Sequence, residues 1–232
     1  VIEGGITPGG TLRVGLGAEV DGLNPGANSL ATSTYLIDFT MLEPLAYFDA
    51  EGNWFPWLAE SFEKVEGSPS WRMTLRDGIT FHDGSDLDAD DVIALFNVQL
   101  KDPLIGLALQ PSYPFAFEGP AVEKIDNLTV QFNPLGESAH FPVNLTSQLG
   151  MIVPSEYTEA TQANSRKNQT LIGTGPFMFE SRVQDDRTIV VKNPNWWGGE
   201  VYLDAIEFII QTDTAIAADR LAAGDLDVVI TS

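Results

Sequence analysis

The stretch Trp71 to Asp91, WRMTLRDGITFHDGSDLDADD, decides the fold of this chain. Trp71, Met73 and Leu75 alternate with polar residues, and Ile79 and Phe81 repeat the alternation, which is the period of a half-buried strand. Asp77-Gly78 and Asp83-Gly84 interrupt the run, their glycines supplying the positive φ that tight turns require. The segment therefore reads as two short strands broken by Asp-Gly turns. Asp88 stands where a helix N-cap belongs, and Asp90 and Asp91 fall in the first turn, facing unpaired N–H groups and the positive end of the helix dipole. A helix is expected from Ala89 to about Lys101, with Val92, Ile93, Phe96 and Leu100 as its apolar stripe and Pro103 marking its end.

Working outward, a chain of 232 residues is long enough to bury about 70 to 75% of the surface its unfolded form exposes, as one large or two small domains. A hydrophobic fraction of 44% with 10% aromatics is globular in character. No apolar run approaches the roughly 18 residues of a membrane span. Acidic residues number 33 against 12 basic ones, for a net charge of −21. That balance excludes nucleic acid and anionic membrane as partners, because phosphate attraction needs clustered Lys and Arg. The acidity reads first as solubility, with a high-salt habitat or a cationic ligand as alternatives. Cysteine is absent, which removes disulfides and thiolate metal sites and leaves the redox compartment open.

The first strand is expected at Thr11 to Leu16, after a Gly-rich lead-in. A loop follows and becomes helical near Ser33, with Tyr35, Leu36, Phe39, Met41 and Leu42 roughly at helical spacing. Further strands are expected at Leu128 to Phe132, Thr188 to Lys192 and Ala205 to Ile210, the last nearly continuously apolar as buried strands are. Phe141 to Leu149 reads as a short helix. Thr214 is expected to cap a helix running to Ala223, which Gly224 ends, and Asp227 to Ile230 begins another strand. Strand, helix, strand in succession implies a parallel unit.

The order of these blocks resembles the peptide/nickel cluster of extracellular solute-binding proteins, family five. Leu75, Arg76, Gly78, Ile79, Phe81, His82, Asp83, Gly84, Ala89, Asp91 and Val92 match that family's Leu-Arg-x-Gly-x-x-Phe-His-Asp-Gly and Thr-Ala-Glu-Asp-Val pattern, with Asp88 and Asp90 as departures that keep helix-start character. Similar blocks occur at Leu23-Asn24-Pro25, at Leu58 to Phe62, in the Gly-Thr-Gly-Pro-Phe of Gly173 to Phe177, in NPNWWGG, and at Gly224 to Asp227. The resemblance implies an α/β, periplasmic-binding-protein-like (type II) lobe with a mixed sheet and an inserted α+β subdomain. Residues 1–44 and 171–232 would form the core of lobe one and 45–170 the insertion. The chain reaches Val229 about where relatives cross to a second lobe, so it is expected to be the first lobe only, with weak binding by itself.

Other chemistry finds little support. His82 and His140 are the two histidines, and neither has a second imidazole or a tight carboxylate cluster at ligand spacing, so His82 is expected to be structural. VGLGAEVDG lacks the third glycine of a dinucleotide loop, and GTGPF lacks the lysine of a phosphate loop. No Gly-x-Ser-x-Gly elbow is present, and the Asp and Glu residues at turns and helix starts read as solvated caps. Three Asn-x-Thr triplets are treated as noise. The tryptophans within family blocks read as core, with Trp54 and Trp57 placed in a loop.

The resemblance also implies a site. The loop after the first strand, and the segment before Met151-Ile152-Val153-Pro154, would face the cleft between lobes, making Ser29, Thr32, Ser33, Tyr35, Ser147 and Gln148 the candidate ligand-binding residues. Such neutral groups hold a peptide, sugar or amide by hydrogen bonds. No catalytic residue, metal or cofactor is expected. The implied function is capture of a peptide or similar small solute outside the membrane for an ABC permease, by a monomer that binds no nucleic acid. A signal segment, and in the lipoprotein case a lipidated cysteine, would precede the chain. The rivals are the sensing module of a transcriptional regulator and, less well supported, a carbohydrate-active enzyme with paired carboxylates.

Overall fold

In the computed structural model, residues 7–20, 22–26, 31–102, 104–109, 113, 119–137, 141–162 and 170–230 are described. Strand β1 (Thr11–Leu16) pairs in parallel with β10 (Ala205–Ile210) on one side and with β11 (Val228–Ile230) on the other. Antiparallel β9 (Arg187–Lys192) and β8 (Phe177–Val183) extend the sheet beyond β10, giving the order β11-β1-β10-β9-β8. The apolar run Ala205–Ile210 thus lies between two neighbours, and Ile206, Phe208 and Ile209 are buried. Helix α4 (Thr214–Ala223) connects β10 to β11, and both strands run parallel to β1, as the succession of elements implied. Its cap is Asp213, not Thr214: the Asp213 carboxylate accepts from the N–H groups of Ala215 and Ile216 at 2.9 and 3.1 Å. Gly224 closes the helix at φ 81°, where a side chain would be strained.

Residues 46–132 build two further sheets. A hairpin joins β2 (Ala46–Phe48) to β3 (Trp54–Pro56), and β4 (Ala59–Lys64), β5 (Trp71–Leu75), β7 (Thr129–Phe132) and β6 (Val122–Lys124) form an antiparallel sheet in that spatial order. Trp71, Met73 and Leu75 are buried on one face of β5, as their alternation required. Ile79 and Phe81 are also buried, but they lie in no strand; a single bridge between Thr80 and Asp86 is all the pairing there. Turns at Gly78 (φ 78°) and Gly84 (φ 87°) fold the segment onto itself, with Phe81 N–H bonding Ser85 and Leu87 N–H bonding Ile79, which leaves no length for a ladder.

Helix α2 (Ala89–Lys101) starts with a reciprocal cap in which Asp88 accepts from Asp90 N–H at 2.8 Å and Asp91 accepts from Asp88 N–H at 3.0 Å. Its buried face holds Ala89, Asp91, Val92, Leu95, Phe96 and Gln99, a rotation from the expected stripe that leaves Ile93 and Leu100 half-buried. Two polar side chains, Asp91 and Gln99, turn inward because each has backbone partners there. The expected helix at Phe141 to Leu149 is instead a pair of 3₁₀ turns, Phe141–Thr146 and Gln148–Gly150, with Ser147 extended between them. The chain packs too closely for one α-helix: a Cβ on Gly150 would lie 2.0 Å from the Leu145 carbonyl oxygen.

Helix α1 (Thr32–Met41) buries Ser33, Thr34, Ile37, Asp38 and Met41, while Phe39 is 37% exposed. Of the expected set, Met41 and Leu42 are buried and Tyr35 and Leu36 are half-buried against the core; Phe39 faces outward, and two hydroxyls and a carboxylate share the inward side. Helix α3 (Ser155–Gln162) packs against α2. One continuous hydrophobic cluster joins the sheets, running through Val14, Ile37, Leu58, Phe96 and Phe208.

Candidate functional site

Parallel strands β1, β10 and β11 end flush, with Leu16 opposite both Ile210 and Ile230. In open α/β sheets the crevice at such carboxyl ends is where ligands sit. The chain leaving β1 enters the loop that carries Leu23, Asn24 and Pro25, all buried. Asn24 folds it into a turn, its Oδ1 accepting from Gly26 N–H at 2.8 Å.

The Pro25 carbonyl is the anchor of this loop. Gln148 Nε2 donates to it at 2.8 Å and Gln99 Nε2 at 3.4 Å, and Gln99 Nε2 also reaches the Gln148 carbonyl at 3.0 Å. Carbonyl acceptors on both amides fix which end is nitrogen. Gln148 Oε1 accepts from the Tyr35 hydroxyl at 3.4 Å, which ties α1 to the same junction. Burial lifts the Tyr35 phenol above its ordinary pKa, so it stays a neutral hydroxyl.

Of the residues singled out in the sequence, Tyr35, Gln148 and hence Ser147 come together. Ser147 is half-buried and spends no side-chain bond on capping the turn that follows it. Thr32 is exposed one turn before Tyr35, whereas Ser33 is buried on the inward side of α1. Ser29 lies outside the described residues, as does His140. Gln148 is only 9% exposed, and its amide is bonded to the loop and to Tyr35, so it braces this wall.

Sequence reasoning missed Glu43. Only 2% exposed, its carboxylate accepts from three indoles: Trp57 at 2.8 Å, Trp196 at 3.3 Å and Trp197 at 2.8 Å, with the Thr174 hydroxyl at 2.9 Å as a fourth donor. Burial raises the Glu43 pKa against these bonds. Arg76 completes the joint, donating to the Trp57 carbonyl at 2.6 Å and lying over the Trp197 ring at 5.8 Å. A single acidic residue between Met41-Leu42 and Pro44-Leu45 was the one available signal. Trp57 is therefore not a free loop side chain, and Trp54 belongs to β3, its ring edge-on to Phe62. A file of rings, Tyr35 to Phe39 to Tyr47 to Trp57, connects this joint to the Tyr35 wall.

His82 is a second brace. Gly173 N–H donates to its Nδ1 at 3.1 Å, which leaves that nitrogen without a proton, and Nε2 therefore donates to the Gly175 carbonyl at 3.1 Å. Burial lowers its pKa, so the ring is neutral. The same two glycines let the loop press onto the end of α1: a Cβ at Gly173 would lie 2.2 Å from the Met41 oxygen, and Gly175 N–H bonds that oxygen at 2.9 Å. GTGP is thus a close-packing device. Nearby, a cavity of about 460 Å³ is lined by carboxylates including Asp83, Asp86, Asp88 and Glu156. Among the described residues no His, Cys, Asp and Glu side chains are grouped to hold a metal ion.

A mixed α/β sheet of this kind is the architecture of periplasmic binding proteins. Residues 53–232 match the family described as bacterial extracellular solute-binding proteins, family 5 (middle), and the chain belongs to that family. Di/tripeptide-binding protein 1 of Pseudomonas aeruginosa strain UCBPP-PA14 is 30% identical over 228 residues, covering 90% of this chain and 42% of the relative. The oligopeptide-binding protein AppA of Bacillus subtilis, solved with a nonapeptide, has a TM-score of 0.79 at 26% identity, over 96% of this chain and 44% of that one. AgaA of A. tumefaciens R10, solved with agropinic acid, has a TM-score of 0.81 at 25% identity, over 95% and 43% of the two chains. The chain spans under half the length of these relatives. Family members are non-enzymatic components of ABC importers that work outside the cytoplasm. Among the described residues no helix is long and apolar enough to cross a membrane.

Proposed function

We propose that this chain is the first lobe of a two-lobed solute-binding protein that captures a peptide or similar small solute for an ABC permease. Residues 1–44 and 171–232 form the core of the lobe, and 45–170 its inserted subdomain. The observation that carries the reading is the wall in which Tyr35 bonds Gln148 and Gln148 bonds the Pro25 carbonyl, all neutral groups, on the loop that follows β1. A rigid, uncharged wall orients a ligand at low entropic penalty, leaving its hydrogen bonds to select neutral polar groups. Thr32, Tyr35 and Ser147 are the groups that meet the solute, with Ser29 beside them in sequence, and Gln148 and Ser33 hold the wall from behind.

The second lobe would supply the opposing wall, and closure would draw on the solute's higher affinity for the closed state. The protein acts as a monomer behind an export signal, its charge of −21 keeping nucleic acid away. Titration calorimetry with a di- and tripeptide panel tests this. Binding by the two-lobed protein should weaken by about a hundredfold or more in the 232-residue chain. Equal affinity in both would overturn the two-wall reading, and no binding of any peptide by the two-lobed protein would overturn the peptide.

A further inference from the structure

Arg182, at the end of β8, has a side chain only 5% exposed and relates to two carboxylates in different ways. On one side is Glu19, in the loop that leaves β1. Arg182 Nη2 donates to Glu19 Oε1 at 2.9 Å and also to the Val20 carbonyl. Glu19 Oε2 accepts from the N–H of Asp185 in the β8–β9 turn. Together these bonds fasten the post-β1 loop to the β8–β9 hairpin. On the other side is Asp38, on the inward face of α1, which packs against β8.

Asp38 is 0% exposed, and among the described residues neither of its carboxyl oxygens has a hydrogen-bond partner. Arg182 Nε is likewise buried without one. A buried carboxyl with no partner is costly, and so is a buried guanidinium with an idle N–H. The idle acceptor and the idle donor lie on elements that pack together, α1 and β8, with no hydrogen bond joining them. Burial raises the Asp38 pKa, and the charge of Arg182 opposes that rise, so the two groups are within electrostatic reach.

We infer that Arg182 is a positioning residue shared between Glu19 and Asp38, coupling the loop after β1 to the helix that presents Thr32 and Tyr35. Its Nη2 holds the loop, and its Nε is the buried donor left over for the core carboxyl when either wall shifts. Freed from Glu19, it turns its donors to Asp38, and freed from Asp38 it stays on Glu19. Deprived of both, it is a buried cation without a counter-charge, the worst of the four states. The consequence for solute binding rests on the function proposed above; the sharing itself does not.

The test is a double-mutant cycle with Glu19→Gln and Asp38→Asn, read by urea unfolding of the intact protein. Glu19 and Asp38 do not bond one another, so independent residues would give additive losses. Sharing predicts that the double variant's folding equilibrium falls below the product of the single losses by about tenfold or more. A ratio within about twofold of additivity refutes it. The ¹⁵N–¹H signal of Arg182 Nε gives a readout that plain destabilisation would not move. It should shift downfield in Glu19→Gln and stay put when Asp38→Leu, which offers no acceptor, accompanies it in place of Asp38→Asn. No shift in Glu19→Gln alone refutes the sharing even where the double variant does not fold.

Discussion

Replacing Glu43 by Gln changes one oxygen to an NH₂ and leaves the shape of the side chain intact. The four groups around the carboxylate all donate, and an indole N–H cannot do otherwise. If the new amide nitrogen faces Trp57 and Trp196, two indoles lose their acceptor. If it faces Trp197 and Thr174, the threonine hydroxyl rotates to accept, and the Trp197 N–H alone is stranded. The second orientation is favoured. One buried donor left unpaired costs about 1–3 kcal/mol, and the bonds that remain lose their charge assistance, about 1 kcal/mol more. Removing a buried carboxylate gives part of this back, since burial raises the Glu43 pKa. The net loss is about 2 kcal/mol. Urea unfolding followed by tryptophan emission measures it, and because Trp57 and Trp197 lie 5.2 Å apart over this carboxylate, the native emission should change too. Exposed Glu60→Gln should stay within about 0.5 kcal/mol. A Glu43→Gln protein as stable as that control, with unchanged emission, would refute the account of the joint.

The His82 brace predicts a pH dependence. Its folded pKa is lowered by burial, so the unfolded chain takes up the proton first as pH falls; stability is whole above about pH 6.5 and is lost as pH drops through the lower folded pKa. In His82→Gln that slope should vanish, and a slope equal to wild type would contradict the neutral tautomer. Gly173→Ala places a methyl 2.2 Å from the Met41 oxygen, against backbone that cannot rotate away, and should cost about 3 kcal/mol or prevent folding. With 33 acidic residues against 12 basic, the melting temperature should rise between low and molar sodium chloride as repulsion is screened, and a flat profile would show that the carboxylates do not strain the fold.

Local chemistry was the legible part. The alternation of Trp71, Met73 and Leu75, the carboxylates at the start of α2, and the β10–α4–β11 unit announce themselves within a few residues, because strand period and helix capping are short-range. What escaped depends on residues far apart. The donors to Glu43 come from positions 57, 174, 196 and 197, so its lone acidic place in an apolar run was the one local trace of the joint. Asp38 and Gln99 sit on buried helix faces where their polarity argued for exposure, and this rotated both expected apolar stripes. Phe141 to Leu149 reads locally as a helix, but Pro142, Val143, Asn144 and Thr146 favour one weakly, and Gly150 lies close against the Leu145 carbonyl. At the candidate site, the hydrogen bond between Tyr35 and Gln148 and the bracing of Pro25 by Gln99 join residues far apart in the chain, and neither contact had a sequence signal.

The most direct test is the position of a bound solute, by crystallography or by NMR shift mapping of the two-lobed protein with its tightest di- or tripeptide. The account predicts contacts to Thr32, Tyr35 and Ser147 at the carboxyl ends of β1, β10 and β11. A solute seated in the carboxylate-lined cavity between Asp83 and Glu156, with the Tyr35 wall untouched, would contradict it.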